Sequence, residues 1–233
     1  LCGGWFSGTL VNEEMAANQD RIAPMIELFK AVDAPCIVYG ETARSIQGVK
    51  SAPLATKPKL DEAQIAAYAR KMTAFGEWCA EQGMPLSYHH HMAAVIETEA
   101  ELDLFMKHSG AGIPLLYDAG HMAFAGGDVL RVIDTHHARI SHVHTKDVRM
   151  DVIDGLDRTK ESFLDAVVKG AFTVPGEPQG KGRARVGTIG GHARMFTPAK
   201  TVAYEGLIAH AAQQAMRGAP PLECDCRLEV DIV

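Results

Sequence analysis

The 233 residues carry 23 Lys and Arg against 29 Asp and Glu, a formal net charge of −6, and 47% of them are hydrophobic. This length fits one large α/β domain with an ample core, and the acidic balance excludes a general attraction to nucleic acid or to an anionic membrane surface, leaving a small molecule as the expected partner. The five cysteines are scattered and odd in number, and no run reaches the ~18 apolar residues of a membrane helix, so a cytoplasmic protein without a disulfide framework is expected.

The chain opens without Met on "LCGGWFSGTL", a strand-like run that reads as a start within a domain. "MIELFKAVDAPCIVYGE" follows as the end of a helix and then a buried strand at 36–39, with Glu41 just past its end. From Asp61, apolar residues at Ile65, Tyr68, Met72, Phe75 and Cys79 have helical spacing, with acids at the start and Gly83 at the end. "MPLSYHHH" is the next strand and "TEAELDLFMKH" the next helix, where Thr98 and Glu101 have the spacing of a capping box. Glu97 therefore falls in a strand-to-helix loop.

The alternation continues through "GIPLLYDAGH", "GGDVLRVIDTHH" and "RISHVHTKD", which read as strand, helix and strand. Strands alternating with helices imply βαβ units and a parallel sheet. Each strand also ends in ionisable residues, as expected of a barrel with its active site at the strands' C-terminal face: Glu41, then His89 to His91, then Asp118 with His121, then His142, His144, Lys146 and Asp147. After Glu177 the character changes. Residues 178–200 are rich in Gly, Arg and Lys and read as an irregular segment, and 201–233 as a divergent end of the same domain, with "CRLEVDIV" a candidate last strand. Cys224 and Cys226 have no second Cys/His pair at zinc-finger spacing and are not taken as a metal site.

Glu97, Asp118 and His144 offer two carboxylates and one imidazole from three successive strand ends, a donor set suited to Mn²⁺, Co²⁺, Mg²⁺ or Zn²⁺. Each also has an ordinary reading: Asp118 as a cap of the following turn, Glu97 as a first-turn helix acid, His142 and His144 as a packed pair on one strand face. Strand alternation sends His89 and His91 to one face and His90 to the other, where a structural role is expected of it.

"VYGETARSIQG", "YHHHM", "DAGHMAFAGGD", "RISHVHTKDVR" and "SFLDAVVKGAFTVPG" together resemble the inosose dehydratase family, within the xylose-isomerase-like TIM-barrel superfamily, over roughly residues 4–176. The resemblance implies a (β/α)8 TIM barrel, here partial, with two further strands preceding the point that corresponds to Leu1. It implies a lyase that dehydrates 2-keto-myo-inositol to a trihydroxycyclohexane-dione with Mn²⁺ or Co²⁺, with glutathione as a further cofactor of the family; a homo-oligomer stays open.

Carried over residue by residue, the family pattern makes Glu97, Asp118 and His144 metal ligands. It sets His121 beside the metal or substrate and turns Glu41, His89, His91, Lys146 and Arg149 toward the polyol, and dehydration chemistry makes Lys146 and His121 the acid/base candidates. At the position of the family's fourth ligand, a glutamate, this chain has Ala211. A keto-polyol isomerase or epimerase and a non-catalytic binding remnant are the competing readings. A repair endonuclease is disfavoured by the acidic charge.

Overall fold

The computed structural model describes residues 4–172 in full and the backbone of 185–189, 192–196 and 228–229. Two compact units are present, one of residues 1–172 with 226–233 and one of residues 173–225.

The first unit is built on a sheet of six strands: β1 (Gly4–Gly8), β2 (Ile37–Glu41), β3 (Leu86–His89), β4 (Leu115–Asp118), β5 (Ile140–His144) and β8 (Leu228–Glu229), paired in that order and all parallel. Strand β8 lies within "CRLEVDIV". The second unit contains an antiparallel hairpin of β6 (Arg185–Ile189) and β7 (His192–Phe196), within a stretch expected to be irregular. Ala211 lies outside the described residues.

Helices α1 (Met15–Ala31), α2 (Glu62–Glu81), α3 (Glu99–His108) and α5 (Val129–His136) cross between consecutive strands, with the short α4 (Ala119–Phe124) starting directly from β4. After β5 come α6 (Met150–Asp154) and α7 (Phe163–Val168). Parallel strands need such crossovers, and one face of the sheet is buried beneath them. The apolar positions expected of α2 are the ones it buries, namely Ile65, Tyr68, Met72, Phe75 and Cys79. Its start is fixed by a capping box in which Asp61 accepts the Gln64 N–H at 2.8 Å and Gln64 accepts the Asp61 N–H at 2.9 Å. The box expected for α3 forms between Thr98 and Glu101.

Side-chain parity sorts the strands into two faces. Phe6, Ile37, Tyr39, Leu86, Tyr88, Leu115 and Tyr117 join the helices in the main core. The register Trp5↔Val38↔Ser87 and Gly40↔His89↔Leu116↔His142, then Asp118↔His144, sets these residues on the opposite face. That face holds a small apolar cluster of Cys36, Val38 and Leu116, with the histidines and Asp118 toward the strand ends. Trp5 lies over Gly40, where a β-carbon would stand 2.2 Å from the indole, and keeps 46% of its surface exposed. Among the described residues no helix is long and apolar enough to cross a membrane.

Candidate metal and substrate site

Asp118 ends β4 with its side chain fully buried and uses its two oxygens differently. Oδ1 accepts the His121 N–H at 2.9 Å and so caps α4. Oδ2 is the point on which the site converges: His89 Nε2 lies at 3.3 Å, His121 Nε2 at 3.4 Å and His144 Nδ1 at 3.6 Å, and Lys146 Nζ donates to it directly. Asp118 thus caps α4 through one oxygen and turns the other to the imidazoles and Lys146. Lys146 reaches Asp118 across Gly120, at which a β-carbon would stand 2.5 Å from Lys146 Cβ.

Burial drives the imidazoles toward their neutral form, the form that binds a metal. It pushes His89 and His90 down to about 3 and His91 to about 4, and holds His121 well below the usual range. Burial alone would raise the Asp118 carboxyl. The surrounding His121, His144 and His89 and the Lys146 ammonium outweigh it and hold Asp118 well below the ordinary carboxylate range. A site with one fixed anionic oxygen and neutral imidazoles around it fits a divalent cation. His89, Asp118 and His121 each direct a ligand atom to within 4.8 Å of the other two, and both ring nitrogens of His121 and Nδ1 of His89 are buried without a hydrogen-bond partner.

Of the residues singled out in the sequence, the structure gathers Asp118, His144, His121, His89 and Lys146. His91 adjoins them, its ring 3.8 Å from that of His121 and its Nδ1 2.8 Å from the Met92 carbonyl oxygen. Glu97 stands apart from this group. Its Oε2 accepts the Ala93 N–H, and the charges acting on it are Lys57, Glu101 and Arg158 rather than those around Asp118. His89, expected to face the substrate, occupies the place by Asp118 that Glu97 was expected to fill.

Glu41 also departs from its expected role, because it shares strand parity with Tyr39 and points to the helix-covered face. There it accepts the Tyr39 hydroxyl at 2.9 Å and the backbone N–H groups of Val11 and Ala43 at 3.1 and 3.0 Å, tying together the loops that follow β1 and β2. Arg149 is exposed and paired with Asp151 at 2.7 Å, at the start of α6. Trp5 was not singled out. Its indole meets His89 edge-on at 6.0 Å, and the signal for it was the alternation of "GWFSG".

Residues 3–177 match the model of the xylose isomerase-like TIM barrel family. The chain belongs to that family. Among curated members of known name, the rhizopine catabolism protein MocC of Rhizobium meliloti is 39% identical over 177 residues, 76% of this chain and 54% of that protein. An inosose dehydratase of Geobacillus thermodenitrificans (strain NG80-2) is 34% identical over 225 residues, covering 96% of this chain and 72% of its own length. A sugar phosphate isomerase/epimerase from Parabacteroides distasonis ATCC 8503 shares the fold, with a TM-score of 0.51 at 15% identity over 94% of this chain and 71% of that one.

The chain therefore spans about half to three-quarters of the length of these TIM-barrel relatives. Residues 175–233 also match the model of the endodeoxyribonuclease RusA, whereas the alignment with the Geobacillus protein, at 96% of the chain, runs into the same stretch.

Proposed function

We propose that the chain carries the metal-binding half-site of a carbon–oxygen lyase that dehydrates 2-keto-myo-inositol, an inosose, to a trihydroxycyclohexane-1,2-dione. One observation carries this reading. Three imidazoles and an ammonium meet a single buried carboxylate oxygen at adjoining strand ends, in a chain 34% identical to a protein named inosose dehydratase.

His89, Asp118 and His121 would hold the ion, with His144 beside them. A bound divalent cation, Mn²⁺ or Co²⁺ in this reading and with glutathione as the family's further cofactor, supplies Lewis-acid polarisation of a ketone oxygen. The protein's part is proton movement: dehydration needs a base to take the proton from the carbon next to the ketone and an acid to protonate the β-hydroxyl as it leaves as water. Lys146 Nζ is the proposed acid/base, placed at Asp118 Oδ2, and the neutral His121 and His91 imidazoles are its proposed partners. Trp5 presents an exposed aromatic surface on the same sheet face, suited to the C–H side of a cyclohexane ring. The reading places the protein in the cytoplasm.

For the tail two readings stand. The extended alignment with the Geobacillus dehydratase supports 201–233 as a divergent barrel end, and the RusA match favours a segment of endodeoxyribonuclease origin, for which a gel shift with DNA is the test.

The test of the main reading is an assay of the purified chain with 2-keto-myo-inositol after loading with Mn²⁺, Co²⁺ or Zn²⁺. An absorbing dione product is expected. An isomeric ketone formed without loss of water would replace dehydration by isomerisation, and tight ligand binding with no product would leave a binding protein.

A further inference from the structure

Among the described residues Glu97 falls outside the group of His89, Asp118 and His121, yet it is 6% exposed and lies at the centre of a chain of buried contacts. Lys57 Nζ donates to Glu101 Oε1 at 2.7 Å, and these two side chains are 8% and 15% exposed. Glu101 Oε2 accepts the N–H groups of Glu97 and Thr98, each at 2.9 Å. The Glu97 carboxylate then turns back across the loop to accept the N–H of Ala93. Ala93 has φ +60°, a left-handed conformation that costs a residue with a β-carbon and that glycine adopts freely. Its carbonyl is held from the other side by the Ile46 N–H at 3.0 Å and the Ser45 hydroxyl at 3.4 Å. The turn so closed pairs the His91 N–H with the Ile96 carbonyl at 3.1 Å and the Ala94 N–H with the His91 carbonyl at 3.3 Å. It begins at His91, two residues past the end of β3 at His89.

We infer that Glu97 is a positioning residue: its carboxylate clamps Ala93 in the left-handed conformation and so sets the backbone that delivers His89 and His91 to the site. The inference rests on the metal reading above for its consequence, but the clamp itself is a property of the loop. A strained residue persists where its surroundings over-determine it, and here three separate contacts do so.

Gln and Ala variants separate a clamp from a ligand, because a glutamine can still accept the Ala93 N–H but is a far poorer metal donor than a carboxylate. Co²⁺ titration of the full chain, followed by its visible absorption bands, is the measurement. Glu97→Gln is expected to keep the band shape and hold Co²⁺ affinity to within about threefold, whereas Glu97→Ala loses about tenfold through the freed loop. Adding Ala93→Gly to Glu97→Ala is expected to recover most of that loss, since glycine needs no clamp.

A Glu97→Gln variant with altered bands and an affinity down about a hundredfold would overturn the inference and make Glu97 a ligand. So would an Ala93→Gly change that rescues nothing. A wild-type chain that binds no Co²⁺ would instead sink the metal reading. Hydrogen exchange over residues 91–96 then decides the clamp alone: protection retained in Glu97→Gln and lost in Glu97→Ala supports it, and equal protection in both rejects it.

Discussion

Nε2 of His90 accepts the backbone N–H of Asp118 at 3.1 Å, so the middle histidine of "HHH" fixes the backbone of the residue on which its two neighbours' side of the sheet depends. Its ring stacks on Tyr117 with centroids 5.7 Å apart, on the helix-covered face. Removing the acceptor strands a buried amide, which costs about 1–3 kcal/mol. His90→Phe, which keeps the ring and the stack, is therefore expected to lower the unfolding free energy by that amount in urea titrations. His90→Gln, whose side-chain oxygen reaches a similar point, is expected to lose less. Equal stability of the Phe variant and the wild type would remove this role from His90.

Lys146 and a metal ion make opposite demands on one atom. The ammonium donates to Asp118 Oδ2, the oxygen around which His89 and His121 also gather. Replacing Lys146 by Met frees that oxygen while removing the proposed acid/base. Co²⁺ affinity is expected to rise by several-fold to about tenfold, while dione formation falls by about two orders of magnitude or more. Gly120→Ala is expected to act in the same direction more weakly, because its new β-carbon displaces the Lys146 stem. Weaker Co²⁺ binding in Lys146→Met would show that the lysine supports the ion rather than competing with it.

The parts of this arrangement that periodicity encodes were legible in the sequence. The spacing from Ile65 to Cys79 defined α2, Thr98 and Glu101 marked the start of α3, and the polar strand ends located Asp118, His144 and Lys146. The parity of Glu41 was not legible, because all five residues of β2 are buried and a strand covered on both faces shows no alternation to read. In the sequence, a carboxylate just after a strand end suits a metal, which is what Glu97 offers. In the structure its carboxylate instead meets the N–H of Ala93, which has a positive φ, and an alanine in sequence gives no sign of a left-handed backbone. The pairing of Arg149 with Asp151 depends on where α6 begins, a boundary that the sequence between β5 and α7 does not mark.

The buried imidazoles make the metal-free protein sensitive to acid. Their ordinary value is 6.5, and burial lowers His89 and His90 to about 3 and His91 to about 4, with His121 also well below. Below pH 6.5 the unfolded chain binds protons that the folded chain refuses, so this stability is present above 6.5 and is lost as pH falls toward 4. Each such imidazole contributes at most about 1.4 kcal/mol per pH unit in that window. Glu41 and Glu97, which burial raises, act in the opposite sense, favouring the folded state as pH falls. Their effect acts above 4.5, between each carboxyl's raised value and its ordinary one, and there two carboxyls stand against four imidazoles. With a chelator present, the urea midpoint is expected to be lower at pH 5.5 than at pH 7; an unchanged or higher midpoint would mean that the imidazoles take up protons in the folded state.

Trp5 offers a direct optical test of where the polyol sits. It shares the sheet face of Asp118, packs over Gly40, touches His89 edge-on and leaves 46% of its surface open. The other tryptophan, Trp78, lies on α2, where it stacks on Phe75 with centroids 6.0 Å apart. In a Trp78→Phe background the fluorescence therefore reports Trp5 alone, and 2-keto-myo-inositol is expected to quench it saturably, at concentrations that match the KM. Stacking of a ring's C–H face on the indole binds ground state and transition state alike, so Trp5→Ala is expected to raise KM by about tenfold with kcat changed by less than about twofold. A variant that lowers kcat with KM unchanged would place Trp5 in the support of His89 instead of against the substrate.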